Sequence, residues 1–239
     1  GSPDATFNTA PNYAVYALAQ QPDGKILLGG LFSGLDGAAH NFIGRVDANG
    51  YVDASFTCQL SGYYVATLAL QADGKIIVGG AFTKLCDVDR SNIGRLNPDS
   101  SLDTTFNPGA DARVRALALQ ADGKIIAGGD FSTLGGQSRE RIGRLSNDGA
   151  ALQELSANEA GTAITWLRSG SGPEVQRVTF EVSTDGVNFT LLGEATRISG
   201  GWQKTGLLLP IVNVWVRARG YYGTGCYNGS GSIVEAVSK

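Results

Sequence analysis

Methionine is absent from the 239 residues, histidine occurs once and cysteine three times. The lone His40 leaves a single candidate base for a Ser/His/Asp or Cys/His relay, and it stands in a variable stretch, so it reads as an ordinary loop residue. Zinc sites need Cys and His grouped at set spacings, and no such group is present. Charge is also scarce: 17% of residues, a net −3, and no basic block. That excludes the electrostatic footprint of a nucleic-acid partner or an anionic membrane. No run of about eighteen apolar residues exists, so no helical membrane span is expected. No signal-peptide pattern is read at the start of the sequence. Gly1-Ser2 reads as a tag remnant, and the chain as a processed or truncated product.

Glycine, by contrast, is abundant, at 34 residues, and it recurs at fixed places. "LALQADGKII" runs from Leu68 to Ile77 and returns unchanged from Leu117 to Ile126; a looser copy, "LAQQPDGKIL", occupies Leu18 to Leu27. Around it a longer unit repeats. Each unit opens on Asp-x-(Thr/Ser)-Phe at Asp4, Asp53 and Asp103, which are 49 and 50 residues apart. Gly-Gly-x-Phe follows the phrase at Gly29, Gly79 and Gly128. An Ile-Gly-Arg then ends on Arg45, Arg95 and Arg144, and a polar turn closes the unit.

The periodicity is that of strands. Val65 to Gln71 alternates side chains two by two. Asp73-Gly74 is a hairpin dipeptide, expected to form a type I′ turn. Lys75 to Phe82 is nearly all apolar, as in a strand covered on both faces. Asn92 to Leu96 predicts a third strand and Ser101 to Phe106 a fourth. Four antiparallel strands in about fifty residues make a propeller blade. A helical array would need a 3.6-residue pattern, and a β-solenoid a shorter rung. Residues 1–152 are therefore expected to hold three blades, at 4–52, 53–102 and 103–152. Propellers close with about four to eight blades. Three leave open edges, so a homodimer sharing a six-bladed ring is the expected assembly, with an open array capped by the C-terminal region as the rival.

After Ala150 the phrase stops. Strand-like runs at Ala163 to Leu167, Val175 to Ser183, Phe189 to Glu194, Gln203 to Leu209, Val212 to Arg219 and Ser232 to Val237 are separated by turn residues. They predict a β-sandwich over 153–239, with Trp166 in its core. Trp215, Arg217 and Arg219 fall on one face of a strand, and Val214, Val216 and Ala218 on the other. The Trp/Arg face reads as a solvated ladder.

The stretch "LALQADGKIIVGGAFT…IGRLNPDSSLDTTFNPG" resembles the delta-60 repeat, a bacterial β-propeller-type unit, over Asp4 to about Leu152. "GLLLPIVNVWVRARG" (Gly206 to Gly220) resembles the late-strand region of fibronectin type III domains, although the corner tyrosine of that family is not in its place. The first resemblance implies a secreted or surface-exposed bacterial protein with no assigned activity.

Chemistry is sparse. Acidic clusters at Asp47 to Asp53, Asp87 to Arg90 and Asn97 to Asp103 lack a complete calcium loop and read as turns. No cofactor or metal is expected. Arg45, Arg95 and Arg144 recur with the fold and read as ties between blades. Cys58 and Cys86 fall in two loops on one rim of the second blade, so a disulfide between them is expected, which suits an oxidising compartment. Cys226 then stays unpaired. The variable rim loops would carry recognition, with Tyr63, Tyr64, Arg90, Arg113 and Arg139 as contacts to a protein or glycan. The function expected is a non-enzymatic binding module. A lectin-like propeller with one pocket per blade is the alternative, and a hydrolase a more remote one.

Overall fold

In the computed structural model, residues 1–2, 4–210, 213–223 and 231–239 are described. All regular structure among them is β. Among the described residues no helix is long and apolar enough to cross a membrane. Cys226 and Asn228 lie outside the described residues.

Each repeat folds as an antiparallel meander of three strands. They are Val15–Gln20, Ile26–Gly30 and Ile43–Val46 in unit one, and Val114–Leu119, Ile125–Gly129 and Ile142–Leu145 in unit three. A two-residue hairpin sits between the second and third strands of both. Unit two has longer strands, Leu60–Leu70 and Ile76–Leu85, which draw that hairpin into the main sheet, beside Ile93–Leu96.

Two details differ from the sequence reading. The Asp-Gly turn is a three-residue loop with only its glycine at positive φ (+87° at Gly24, +80° at Gly74, +83° at Gly123). Gln21 N–H donates to the Lys25 carbonyl at 2.8 Å, and Asp23 accepts from Lys25 N–H, so the aspartate caps the loop instead of entering a type I′ turn. The fourth strand at Ser101 to Phe106 shrinks to one bridge, Leu96 to Leu102. There the Asp103 carboxylate takes the Thr105 N–H at 3.0 Å and the Thr105 hydroxyl at 2.6 Å. A side chain that captures its own backbone turns the chain out of a ladder.

The Gly-Gly pair has two separate jobs. The second glycine faces a bulge: a Cβ on Gly80 would stand 2.2 Å from the Tyr64 carbonyl oxygen. The first faces the next unit. A Cβ on Gly79 would stand 2.9 Å from Val114 and 3.2 Å from Leu117 of unit three. Glycine here lets two sheets approach closely. Ile43 of unit one enters the apolar cluster of unit two, with Phe56, Val65, Ile76 and Phe82. Ile93 of unit two enters that of unit three, with Phe106, Val114, Leu117 and Phe131. Burial of each such isoleucine contributes about 1.5–3 kcal/mol.

The tail is a sandwich of two four-stranded sheets. One has the order Ala151–Ala157, Ala163–Gly170, Gly201–Thr205, Thr196–Ile198; the other Thr190–Glu194, Arg177–Ser183, Trp215–Gly223, Gly231–Ser238. Its first strand starts at Ala151, slightly before the expected boundary. Trp166 is fully buried between the sheets with Phe180, Trp202 and Ala218. The sandwich grips the hairpin ends of units two and three. Gln71 bridges Pro173, Ala72 N–H donates to the Gly172 carbonyl at 2.8 Å, and the Tyr222 hydroxyl donates to the Leu119 carbonyl at 3.1 Å.

Candidate functional site

The end of the array opposite the sandwich is formed by the loops that enter each first strand. Cys58 and Cys86 are joined there by a disulfide, with Cα atoms 4.6 Å apart. It ties the two ends of the long hairpin of unit two, next to the pair Leu60–Leu85. Such a crosslink contributes typically about 2–4 kcal/mol.

Beyond it the hairpin bulges. Gly62 pairs with Phe82 and Tyr64 with Ala81, which leaves Tyr63 unpaired. Gly62 has φ +150°, and a Cβ there would stand 2.5 Å from the Phe82 Cα. The bulge turns Tyr63 outward, where it is 74% exposed. Tyr64 is half-buried and meets Tyr16 of unit one edge to face, with centroids 5.7 Å apart. Such a pair contributes about 0.5–1.5 kcal/mol beyond area burial. These rings line a cleft of about 730 Å³ that reaches Asn92, Ala110 and Arg113. That volume lies within the usual size of ligand clefts.

The polar groups around the cleft are held in place. Asn92 accepts from Phe82 N–H at 3.2 Å and donates to the Ala110 carbonyl at 2.9 Å, which joins units two and three beneath the cleft. Asp111 accepts from the Ser132 hydroxyl at 2.6 Å and from the Ser132 and Thr133 N–H groups, each at 2.9 Å. Those bonds lower its carboxyl to about 2, so it is ionised and committed. Arg113 is exposed but donates to Asp130 at 2.7 Å, and Arg115 donates to the same carboxylate. The result is a tyrosine-lined surface with a guanidinium at its edge, suited to stacking and hydrogen bonding.

Of the residues expected to make contacts, Tyr63, Tyr64 and Arg113 are brought together. Arg139 is exposed but lies outside the cleft. Arg90 does not fit the expectation: it is buried, only 6% exposed, with Nη1 on the Asp89 carbonyl and a buried Nε without a partner. His40, at the same place in unit one, is also buried; burial lowers its pKa and its Nδ1 has no partner. Tyr16 was missed. Its signal was present: the equivalent first-strand positions are Tyr16, Ala66 and Arg115, variable between near-constant neighbours.

The repeated arginines tie the units together, in part. Arg45 Nε donates to Asp53 at 2.8 Å and its Nη1 to the Pro98 carbonyl of unit two at 3.3 Å. Arg95 Nε donates to Asp103 at 2.8 Å and its Nη1 to Asn147 of unit three. Lys25 and Lys75 reach the same two carboxylates at 2.8 and 2.7 Å. Burial acts to raise Asp53 and Asp103, but the lysine and hydroxyl hydrogen bonds and the guanidinium hold both well below the usual carboxylate range. The guanidiniums also cover Phe56 and Phe106, at 5.2 and 4.7 Å from the ring centroids. Arg144 is exposed and, among the described residues, has no ion pair.

A family model described as "Domain of unknown function (DUF5122) beta-propeller" matches residues 21–56, 71–106 and 120–151. Together with the repeated meanders, this makes the first part of the chain a propeller-type repeat array. Tyr16, Tyr63, Tyr64 and Arg113 fall outside the matched stretches. No curated protein and no solved structure matches the chain.

Proposed function

We propose that this chain is a non-enzymatic module of a secreted or surface-exposed bacterial protein, and that it binds a protein partner through the tyrosine cleft on its loop rim. The observation that carries this reading is Tyr63: a large ring held out by a bulge, above a cleft whose Asn92 and Asp111 side chains are already hydrogen-bonded within the chain. Exposed aromatic and arginine side chains in such a cleft supply binding energy on desolvation. The Cys58–Cys86 bond suits an oxidising compartment. The delta-60 resemblance of the repeats, and the fibronectin type III-like character of the tail, agree with an extracellular role. For the absence of catalysis, the support is chemical: His40 is buried and the cleft acid Asp111 is locked.

A glycan is the second reading, since tyrosine faces also stack on sugar rings. The rim residues differ from unit to unit, which favours one composite site over a pocket per unit.

The labelled chain is to be tested against surface-protein extracts and on a glycan array, beside Tyr63→Ala and Tyr16→Ala. A captured protein retained by the original chain and lost by about tenfold or more in both variants supports the reading. Binding confined to the glycan array selects the second. Equal capture by all three chains rejects the cleft.

A further inference from the structure

The two ends of the array are complementary halves of a contact that the array already makes twice inside itself. Between units one and two, and again between two and three, the acid and ring of Asp-x-(Thr/Ser)-Phe enter a socket made by the preceding unit's lysine, arginine and isoleucine, while that unit's first Gly-Gly glycine packs against the next unit's first strand at Val65 or Val114. Unit three carries an equivalent socket with nothing in it. Ile142 is 65% exposed where Ile43 and Ile93 are fully buried. A Cβ on Gly128 would meet only a backbone oxygen at 3.8 Å, where those on Gly29 and Gly79 meet the next unit's side chains within 3 Å. Lys124 folds back onto its own Asp122, and Arg144 has no ion pair among the described residues. The position eight residues after Arg144, where Arg45 and Arg95 find their aspartates, is Leu152. The sandwich leaves this face open, because it grips the hairpin ends instead.

Unit one carries the matching plug. Asp4 accepts from Thr6 N–H at 2.8 Å and from its hydroxyl at 2.7 Å, the same turn that Asp53 and Asp103 form. Phe7 is 38% exposed, where Phe56 and Phe106 are buried. Leu18 is 65% exposed, where Leu117 is buried against unit two.

We propose that two copies of this chain associate head to tail as a closed pair, with Asp4 and Phe7 of each copy seated in the Lys124–Arg144–Ile142 socket of the other. The charges are complementary, and both apolar surfaces are those covered at the internal contacts. Six units also fall within the range in which propellers close. The pairing is independent of what the rim cleft binds.

Light scattering after size separation tests it. The original chain is expected at twice its 24.9 kDa mass. Asp4→Lys alone and Arg144→Glu alone each set like charges against each other at both contacts, so each is expected to dissociate at least about tenfold more readily. Mixing the two variants restores opposite charges at both contacts, and the mixture is expected to pair. Both residues are exposed, so unchanged circular-dichroism spectra exclude misfolding as the cause. Ile142→Asp weakens pairing without a charge swap. A monomer at every concentration, masses that grow past two chains, or variants that pair as well singly as mixed would each overturn the closed pair.

Discussion

The repeat array and the sandwich use the same three ingredients, an arginine, a carboxylate and an aromatic ring, to opposite ends. In the array Arg95 is 3% exposed, bonded to Asp103 and placed over Phe106 between two units. In the sandwich Arg177 donates to Glu194 at 3.3 Å and lies 4.0 Å from the Tyr221 centroid, with both charged side chains at least half exposed. A buried ion pair is costly to break because the surviving charge cannot recover its water. A solvated pair is replaced by hydration at little loss. The same chemistry therefore seals an interface in one region and decorates a surface in the other.

The largest expected effect is at the interface. Arg95→Ala leaves Asp103 buried with Lys75 alone and should cost about 3–5 kcal/mol in urea unfolding. A cost below that of Arg177→Ala would break the comparison. Next is Gly79→Ala, which forces a methyl against Val114 and Leu117 and should cost about 1–3 kcal/mol. Gly128→Ala, facing open space within the chain, serves as its control and should leave monomer stability nearly unchanged.

Acid should act on the array in the same direction. Asp53 and Asp103 ionise at lower pH in the folded chain than in the unfolded one. Their contribution is therefore complete above the unfolded pKa of about 4 and is lost as pH falls below it. Melting temperatures recorded from neutral to acid pH should drop more steeply for the original chain than for Asp103→Asn, which starts lower. Smallest is Arg177→Ala, expected within about 1 kcal/mol and sensitive to salt.

Much of this was legible before any coordinates. The strands showed because side chains alternate and turns recur, and the tail strands because their cores are interrupted by Asp-Gly and Gly-Gly. The partner of Cys58 was legible because position within a repeat fixes position in space; the repeated arginines were legible as ties between units, but their aspartate partners were not. What was not legible depends on neighbours in space. His40, Arg90 and Arg139 hold one repeat position, yet the first two are buried and the third, in the last unit, is exposed. Ser101 to Phe106 looked like a strand by composition, and the Asp103 side chain overruled it with two short-range bonds to Thr105. The bulge at Gly62 that exposes Tyr63 leaves no pattern in a single copy, since units one and three lack it.

The Asp-x-(Thr/Ser)-Phe plug has a consequence for how such a chain can grow. Every internal seam joins the rear of one unit to the front of the next with the same set of side chains. Duplicating the segment 53–102 in the gene would thus add one seam of a kind already solved and disturb no other. Unit number can drift by recombination without a new core having to be invented, while the sandwich and the outermost loops are left to diversify.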